Sequence, residues 1–389
     1  MTEKLYYTDS HLFTFEAVVT DCREGTNGWT VELDRTAFFP EGGGQPADTG
    51  RLGPARVLDV RETDGRILHV TDKPLTVGEC YSGRLNAEQR QRRMQNHSGE
   101  HIVSGLVHKL HGYENVGFHM GESCMSMDYS GELSREELER IELMANEAVR
   151  DNLPVRAWFP EPRELELLPY RSKKELREAV RLVEIPGIDR CACCAPHVRF
   201  TGEIGVIKIL DAERHRGGVR LSALCGLDAL ADYRKRQEGA AAVSALLSVP
   251  RDNIAPAVER LLGERDGLKE RVAALSLRLV EALAAGTEPT EGNLCVFNPG
   301  LDEIAARELT NRLMERCGGF AGVFTGSDAE GWRYILGSRH VDLRAHAREL
   351  NAALQGRGGG RPEMIQGQAA APEAVIRAYA ETAVFENTR

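Results

Sequence analysis

His97-Ser98-Gly99-Glu100-His101 and, about a hundred residues later, Cys193-Cys194-Ala195-Pro196-His197 decide how this 389-residue chain is read. The first segment places two imidazoles at i and i+4, which on a helix share one face within reach of a single ion. The second supplies a thiolate and a further imidazole from a loop. A lone histidine pair at that spacing arises often by chance, but the two halves together make a four-donor N/S set. Borderline-soft Zn²⁺ favours such a set over carboxylates and binds it tetrahedrally. Glu100 does not directly follow the first histidine, as the general base of a zinc peptidase would, so it is expected to be a solvated helix residue. His108 lies seven residues beyond His101, roughly 10 Å along a helix axis, too far to share the ion. It is expected to pack or to sit at the surface.

Outward from these segments the chain divides into four. Residues 1–86 read as a β-rich domain, a small N-terminal barrel. Strands are predicted at Phe13–Val19 and Trp29–Leu33 around Asn27-Gly28, and at Ala55–Val60 and Arg66–Thr71 around Asp64-Gly65, dipeptides that accept positive φ. Within this domain Phe38-Phe39-Pro40-Glu41-Gly42-Gly43-Gly44-Gln45-Pro46 is either a wide turn or a place where backbone N–H groups approach a ligand and orient Gln45. Residues 87–228 read as an α+β core. It has helices at Ala87–Leu110 and at Ser134–Asn152, the latter opened by a Ser134/Glu137 capping box, a strand at Val155–Trp158 and a helix around Ser172–Leu182. Two further strands are predicted at Ile204–Leu210 and Gly218–Leu224. His119 to Asp128 reads as a plain strand.

Residues 229–287 form a helical spacer. Positions 254, 258, 261, 265, 268, 272, 275 and 279 step by four and three and carry Ile, Val, Leu, Arg, Leu, Val, Leu and Leu, a coiled-coil-like seam broken only by Arg265. The seam serves either a homodimer through residues 254–283 or an intramolecular hairpin. Residues 288–389 alternate strand-like and helix-like segments, a compact α/β domain. Its Gly356-Arg357-Gly358-Gly359-Gly360-Arg361-Pro362-Glu363-Met364 reads as a glycine-rich loop, flexible or in contact with phosphates. The fold class is thus α+β multidomain.

With 42% hydrophobic, 28% charged and 6% aromatic residues, collagen-like, disordered and disulfide-scaffold classes are excluded. Nine cysteines without a leader-type N-terminus suit metal or thiol chemistry and a cytoplasmic protein. Cys191 and Cys194 either support the ligands or pack as small hydrophobes. A net charge of −10 argues against wholesale electrostatic capture of nucleic acid. Two arginine clusters can still make a local basic face: Arg84, Arg90, Arg92 and Arg93, and Arg214, Arg216 and Arg220 with His215.

In this order the motifs resemble the editing half of alanyl-tRNA synthetase and its freestanding relatives, the AlaX proteins. Phe39 to Pro46 with Asp48 is similar to the family's glycine-rich motif. The two half-sites match its metal motifs, and Thr201-Gly202-Glu203-Ile204-Gly205 follows as in the family. Gly356 to Met364 resembles the glycine-rich segment of the synthetase's C-terminal DHH-associated domain. Where the family usually has Cys-Gly-Gly-Thr-His, this chain has Cys193-Cys194-Ala195-Pro196-His197. It carries Ser98-Gly99 where Thr-Ala is common.

The resemblance implies a trans-editing hydrolase that removes serine, or glycine, from tRNA specific for alanine. Implied with it are one zinc ion on His97, His101, Cys193 and His197, catalytic roles for Gln45 and Cys193, and a substrate pocket lined by Gly42, Gly43, Gly44 and Gln45. The C-terminal domain would grip the tRNA body. No class II synthetase core is expected ahead of the β domain, so no aminoacylation is expected. Whether zinc activates water or holds the substrate stays open. Competing readings are a threonyl-tRNA type of editing and a non-catalytic tRNA-binding protein with structural zinc; a phosphodiesterase lacks the Asp-His-His stretch it needs.

Overall fold

The structure, a computed structural model, describes residues 2–25, 28–172 and 180–385. The chain divides into two units, Met1–Ala242 and Val243–Arg389, and helix Gly226–Leu247 crosses the boundary.

In the first unit, strands Thr14–Gly25, Gly28–Leu33, Arg66–Thr71, Ala55–Thr63, Gly50–Leu52 and Cys80–Leu85 pair in that order, and the last pairs back with the first to close a small barrel. Alternation along the first strand fits this closure: Phe15, Ala17 and Val19 are buried, while Thr14 and Glu16 are exposed. Asp64 and Gly65 have φ of 51° and 73° between the paired residues Thr63 and Arg66, the two positive angles that a tight hairpin of matching twist requires. Asn27, at the other expected turn, lies outside the described residues.

Helix Ala87–His111 carries the first half-site. Asn86 starts it, its side-chain oxygen accepting from Gln89 N at 3.1 Å, and Gly112 ends it at φ 71°. Every residue from Asn96 to Val107 is buried, because this stretch packs on helix Arg135–Arg150 and on an antiparallel sheet. The strand order of that sheet is Ile207–His215, Gly218–Cys225, Met125–Tyr129, Asn115–Met120. The region of His119 to Asp128 is therefore a hairpin rather than one strand. Ser134 and Glu137 form the anticipated capping box on helix Arg135–Arg150. Strands Arg156–Trp158, Leu182–Ile185 and Asp189–Ala192 make a third small sheet whose last strand leads into Cys193. The helix expected around Ser172–Leu182 falls on residues 173–179, outside the described residues, and Leu182 opens a strand.

One buried ion pair fastens these parts together. Arg90 is fully buried; its Nε donates to Asp48 Oδ2 at 2.9 Å, and its Nη2 reaches both that carboxylate and the Ala37 carbonyl. Its Nη1 donates to the Ser10 carbonyl at 3.0 Å. Arg93 donates to the Ala47 carbonyl, and Arg92 pairs with Asp228. In the second cluster Arg220 grips Asp128 through two nitrogens and Arg214 meets Glu132. Arg90, Arg93 and Arg220 are thus committed to internal partners, whereas Arg84, Arg214 and Arg216 stay exposed.

The second unit holds a five-stranded sheet in the order Leu294–Phe297, Ala321–Ser327, Gly331–Gly337, Met364–Ala369, Gly356–Arg361, of which the first pair is parallel and the rest antiparallel. The segment expected as a glycine-rich loop is the edge strand of this sheet and the turn after it. A Cβ at Gly358 would sit 2.1 Å from the Tyr334 hydroxyl, and one at Gly367 opposite would sit 2.7 Å from the same ring, so these glycines make room for Tyr334. Helix Ile254–Gly286 lies within the stretch expected as a spacer, and Val258, Leu261, Leu268, Val272, Leu275 and Leu279 of the seam are exposed. It buries Ala257, Val280 and Ala284 instead, the latter two against helix Glu303–Leu313. No helix among the described residues is long and apolar enough to cross a membrane.

Removing one partner of a buried ion pair strands the other charge and costs about 3–5 kcal/mol. Arg90→Ala is expected to destabilise the first unit by about that amount in urea unfolding followed by tryptophan fluorescence in a Trp332→Phe background, where only Trp29 and Trp158 report. A change below about 1 kcal/mol would show that Arg90 holds nothing together.

Candidate metal centre and its cavity

The helix Ala87–His111 presents His97 and His101 one turn apart, and the loop after strand Asp189–Ala192 brings Cys193 and His197 to face them. Ligand atoms of all four lie within 4.8 Å of one another. Cys193 Sγ is 3.5 Å from His97 Nε2 and 3.4 Å from His197 Nε2. A tetrahedron with metal–ligand bonds of about 2.0–2.3 Å has edges of roughly 3.3–3.8 Å, so the two Cys193 separations suit shared ligation of one tetrahedral ion such as Zn²⁺.

Each imidazole is turned by a partner on its other nitrogen. His97 Nδ1 donates to Gln45 Oε1 at 2.9 Å, His101 Nδ1 donates to Asp189 Oδ2 at 2.9 Å, and His197 Nδ1 is 3.0 Å from Ser98 Oγ. A proton held at Nδ1 leaves the Nε2 lone pair facing the cluster, which is how metal-binding histidines are ordinarily oriented. Asp189 is itself fixed by Arg171, which donates from Nε at 2.8 Å and Nη2 at 2.9 Å. Burial alone would raise the Cys193 pKa, but the facing imidazoles of His97, His197 and His101 outweigh it and hold the thiol well below its ordinary value. Burial lowers His197 to about 3, which keeps it neutral and able to donate a lone pair. The cysteines beside the cluster are of another kind: burial pushes both Cys191 and Cys194 up to about 11.

A cavity of about 500 Å³ opens onto the cluster, lined in part by His97, His101, Cys193, Gly43, Gly44 and Phe118. Gly44 has φ 80°, and a Cβ there would lie 2.4 Å from the Phe118 carbonyl oxygen, so the turn can carry only glycine at this point. Met120 N donates to the Gly44 carbonyl at 2.9 Å and stitches the turn to the neighbouring strand.

Gln45 and Gly42 are not where the sequence reading puts them. Gly42 and Gln45 exchange backbone hydrogen bonds of 3.1 and 3.0 Å, a tight turn that swings the Gln45 side chain inward. Gln45 is fully buried behind His97, so its contact is with the imidazole rather than with the cavity, and Gly42 does not line the cavity.

Glu100 also departs from expectation: it is 1% exposed, not solvated. Its Oε1 accepts from Ser104 Oγ and Asn115 Nδ2, both at 2.7 Å, and its Oε2 stands 3.8 Å from His101 Nε2. His108 pairs with Glu114 and takes no part in the cluster. Asp189 and Ser98 escaped the sequence reading for different reasons. Asp189 is 88 residues from His101 and no spacing rule links them, whereas Ser98 sits inside the helical motif and its side chain reaches across to the second half-site.

Residues 180–221 match the family described as the threonyl and alanyl tRNA synthetase second additional domain. The chain is 35% identical to an alanine–tRNA ligase of Natronomonas pharaonis over 94% of this chain and 42% of that protein. It is 35% identical to that of Halobacterium salinarum over 86% and 38%, and 33% identical to that of Methanoregula boonei over 94% and 41%. It therefore spans about two fifths of the length of these relatives. Among solved structures, the C-Ala domain from Aquifex aeolicus alanyl-tRNA synthetase aligns over 23% of this chain and 87% of that one, with 20% identity and a TM-score of 0.20.

Loss of an outer partner of a metal-bound histidine typically costs 10–100-fold in affinity. Asp189→Asn is expected to weaken zinc binding by about that factor in competition with a chromogenic chelator, and Cys193→Ala to weaken it further. Wild-type affinity in both variants would refute the assignment of these four residues to an ion.

Proposed function

As the chain is an AlaX-like relative of alanyl-tRNA synthetase, we propose that it hydrolyses the ester joining a wrong amino acid, serine or glycine, to tRNA specific for alanine. The observation that carries this reading is the meeting of the His97–His101–Cys193–His197 cluster with an open cavity, within a chain whose relatives act on alanine and its tRNA. Zinc, when bound, supplies a Lewis acid toward the ester carbonyl or a water molecule. His97, His101 and Cys193 face the cavity and would hold it there, while His197 closes the set from behind. Gln45, Asp189 and Ser98 keep the imidazoles in register, and the backbone of Gly43 and Gly44 forms the wall against which the aminoacyl end is placed.

Discrimination against alanine follows from hydrogen bonding. A site that pairs with the serine hydroxyl leaves polar groups unpaired when alanine binds, whereas glycine is admitted by size. The unit Val243–Arg389 would hold the tRNA body, and its edge strand exposes Arg357 and Arg361. The relatives named are alanine–tRNA ligases, which favours alanine over threonine as the cognate amino acid. A second reading rests on the donor count: four protein ligands are the usual shell of structural zinc, so a non-catalytic tRNA-binding protein is the alternative.

Seryl-, glycyl- and alanyl-tRNA, each on the alanine-specific tRNA, separate the two. Loss of the seryl or glycyl ester with the alanyl ester spared, and loss of that activity in Cys193→Ala, is the expected outcome. If all three esters survive while the tRNA still binds, the structural-zinc reading replaces this one.

A further inference from the structure

The mouth of the cavity carries aromatic surface that ester hydrolysis does not use. Phe159 lines the cavity and is 48% exposed, although burying a phenyl side chain would stabilise the fold. Its backbone is fixed nonetheless: strand Arg156–Trp158 runs directly into it, and Pro160 restricts the preceding residue to extended conformations. The Tyr7 ring props it edge to face, with centroids 5.4 Å apart at 73°. Tyr7 is held in turn by Tyr6 at 4.7 Å and by the Arg181 guanidinium 5.1 Å from its ring. Arg181 is buried and donates to the carbonyls of Cys193 and Ala195 at 3.0 and 2.9 Å. A chain of contacts therefore ties the exposed ring to the very loop that carries Cys193 and His197.

We propose that Phe159, propped by Tyr7, is the stacking platform for the nucleobase of the terminal nucleotide whose ribose carries the ester. The inference rests on the editing reading for the identity of that nucleotide. A cavity of about 500 Å³ is of the size that encloses a drug-sized ligand, more than a seryl or glycyl group fills, and both the cluster and the Phe159 ring line it. Stacking uses the face every base possesses, so the platform grips the acceptor end without reading its sequence.

The test is a cycle of two ligands and three proteins, using the full chain loaded with zinc. The ligands are a non-hydrolysable 3′-amide of serine with 3′-aminoadenosine and the same amide on a ribose lacking the base. In the wild type, removal of the base is expected to cost about tenfold in Kd, the size of one lost stack. In Phe159→Ala it is expected to cost little, and in Phe159→Trp about as much as in the wild type. A merely structural effect of Phe159→Ala would weaken both ligands equally and leave the base worth tenfold, which overturns the proposal. So would failure of the adenosine amide to bind the wild type, or failure of Phe159→Trp to restore the preference. Deacylation of seryl-tRNA by the same wild-type sample judges the editing reading separately. No deacylation alongside a Phe159-dependent base preference sinks that reading and leaves the stacking site; deacylation without the preference does the reverse.

Discussion

The cluster depends on three hydrogen bonds made away from it. Gln45, Asp189 and Ser98 occupy the Nδ1 atoms of His97, His101 and His197, and only with those nitrogens occupied do three Nε2 lone pairs converge on the side of Cys193. The three partners come from a turn of the barrel domain, a strand of the small third sheet and the ligand helix itself. No one of these elements can assemble the site alone. The turn bearing Gln45 is held to the ligand helix by the Arg90–Asp48 pair, and the strand bearing Asp189 is braced by Arg171. Buried charge here keeps separate pieces in register, a use for which buried polar groups are better attested than for net stability.

What was legible in the sequence follows the range of the interactions concerned. The hairpin at Asp64-Gly65, the capping box at Ser134 and the helix from Ala87 are local features, set by backbone sterics and nearest neighbours, and the structure has them where the spacing puts them. The four clustered residues were legible too, since donor type and i, i+4 spacing are local on each half. Glu100 was misread because nothing in its neighbours tells that Ser104 and Asn115 will enclose it. Asp189 was missed because its partner is distant in sequence. The Gly356–Arg361 stretch shows a third kind of error: glycine permits a loop, but it equally permits a strand to press against a large ring, and here Tyr334 decides.

The arginine clusters bear on how an acidic chain could handle tRNA. Arg90, Arg93 and Arg220 are bound to Asp48, Ala47 and Asp128 and serve the fold, whereas Arg84, Arg214 and Arg216 stay exposed. Phosphate contacts give most of the affinity, and nearly all of the salt dependence, in typical nucleic-acid binding. On the editing proposal, a first unit that commits these arginines to its fold would take more of its grip on an acceptor end from other sources. Enclosure in the cavity, backbone groups of the Gly43-Gly44 turn and aromatic surface at the mouth are the sources it displays. If the chain edits as proposed, charge-based capture would fall to the exposed arginines of the second unit, and placement of the ester against His97, His101 and Cys193 would fall to shape and stacking in the first.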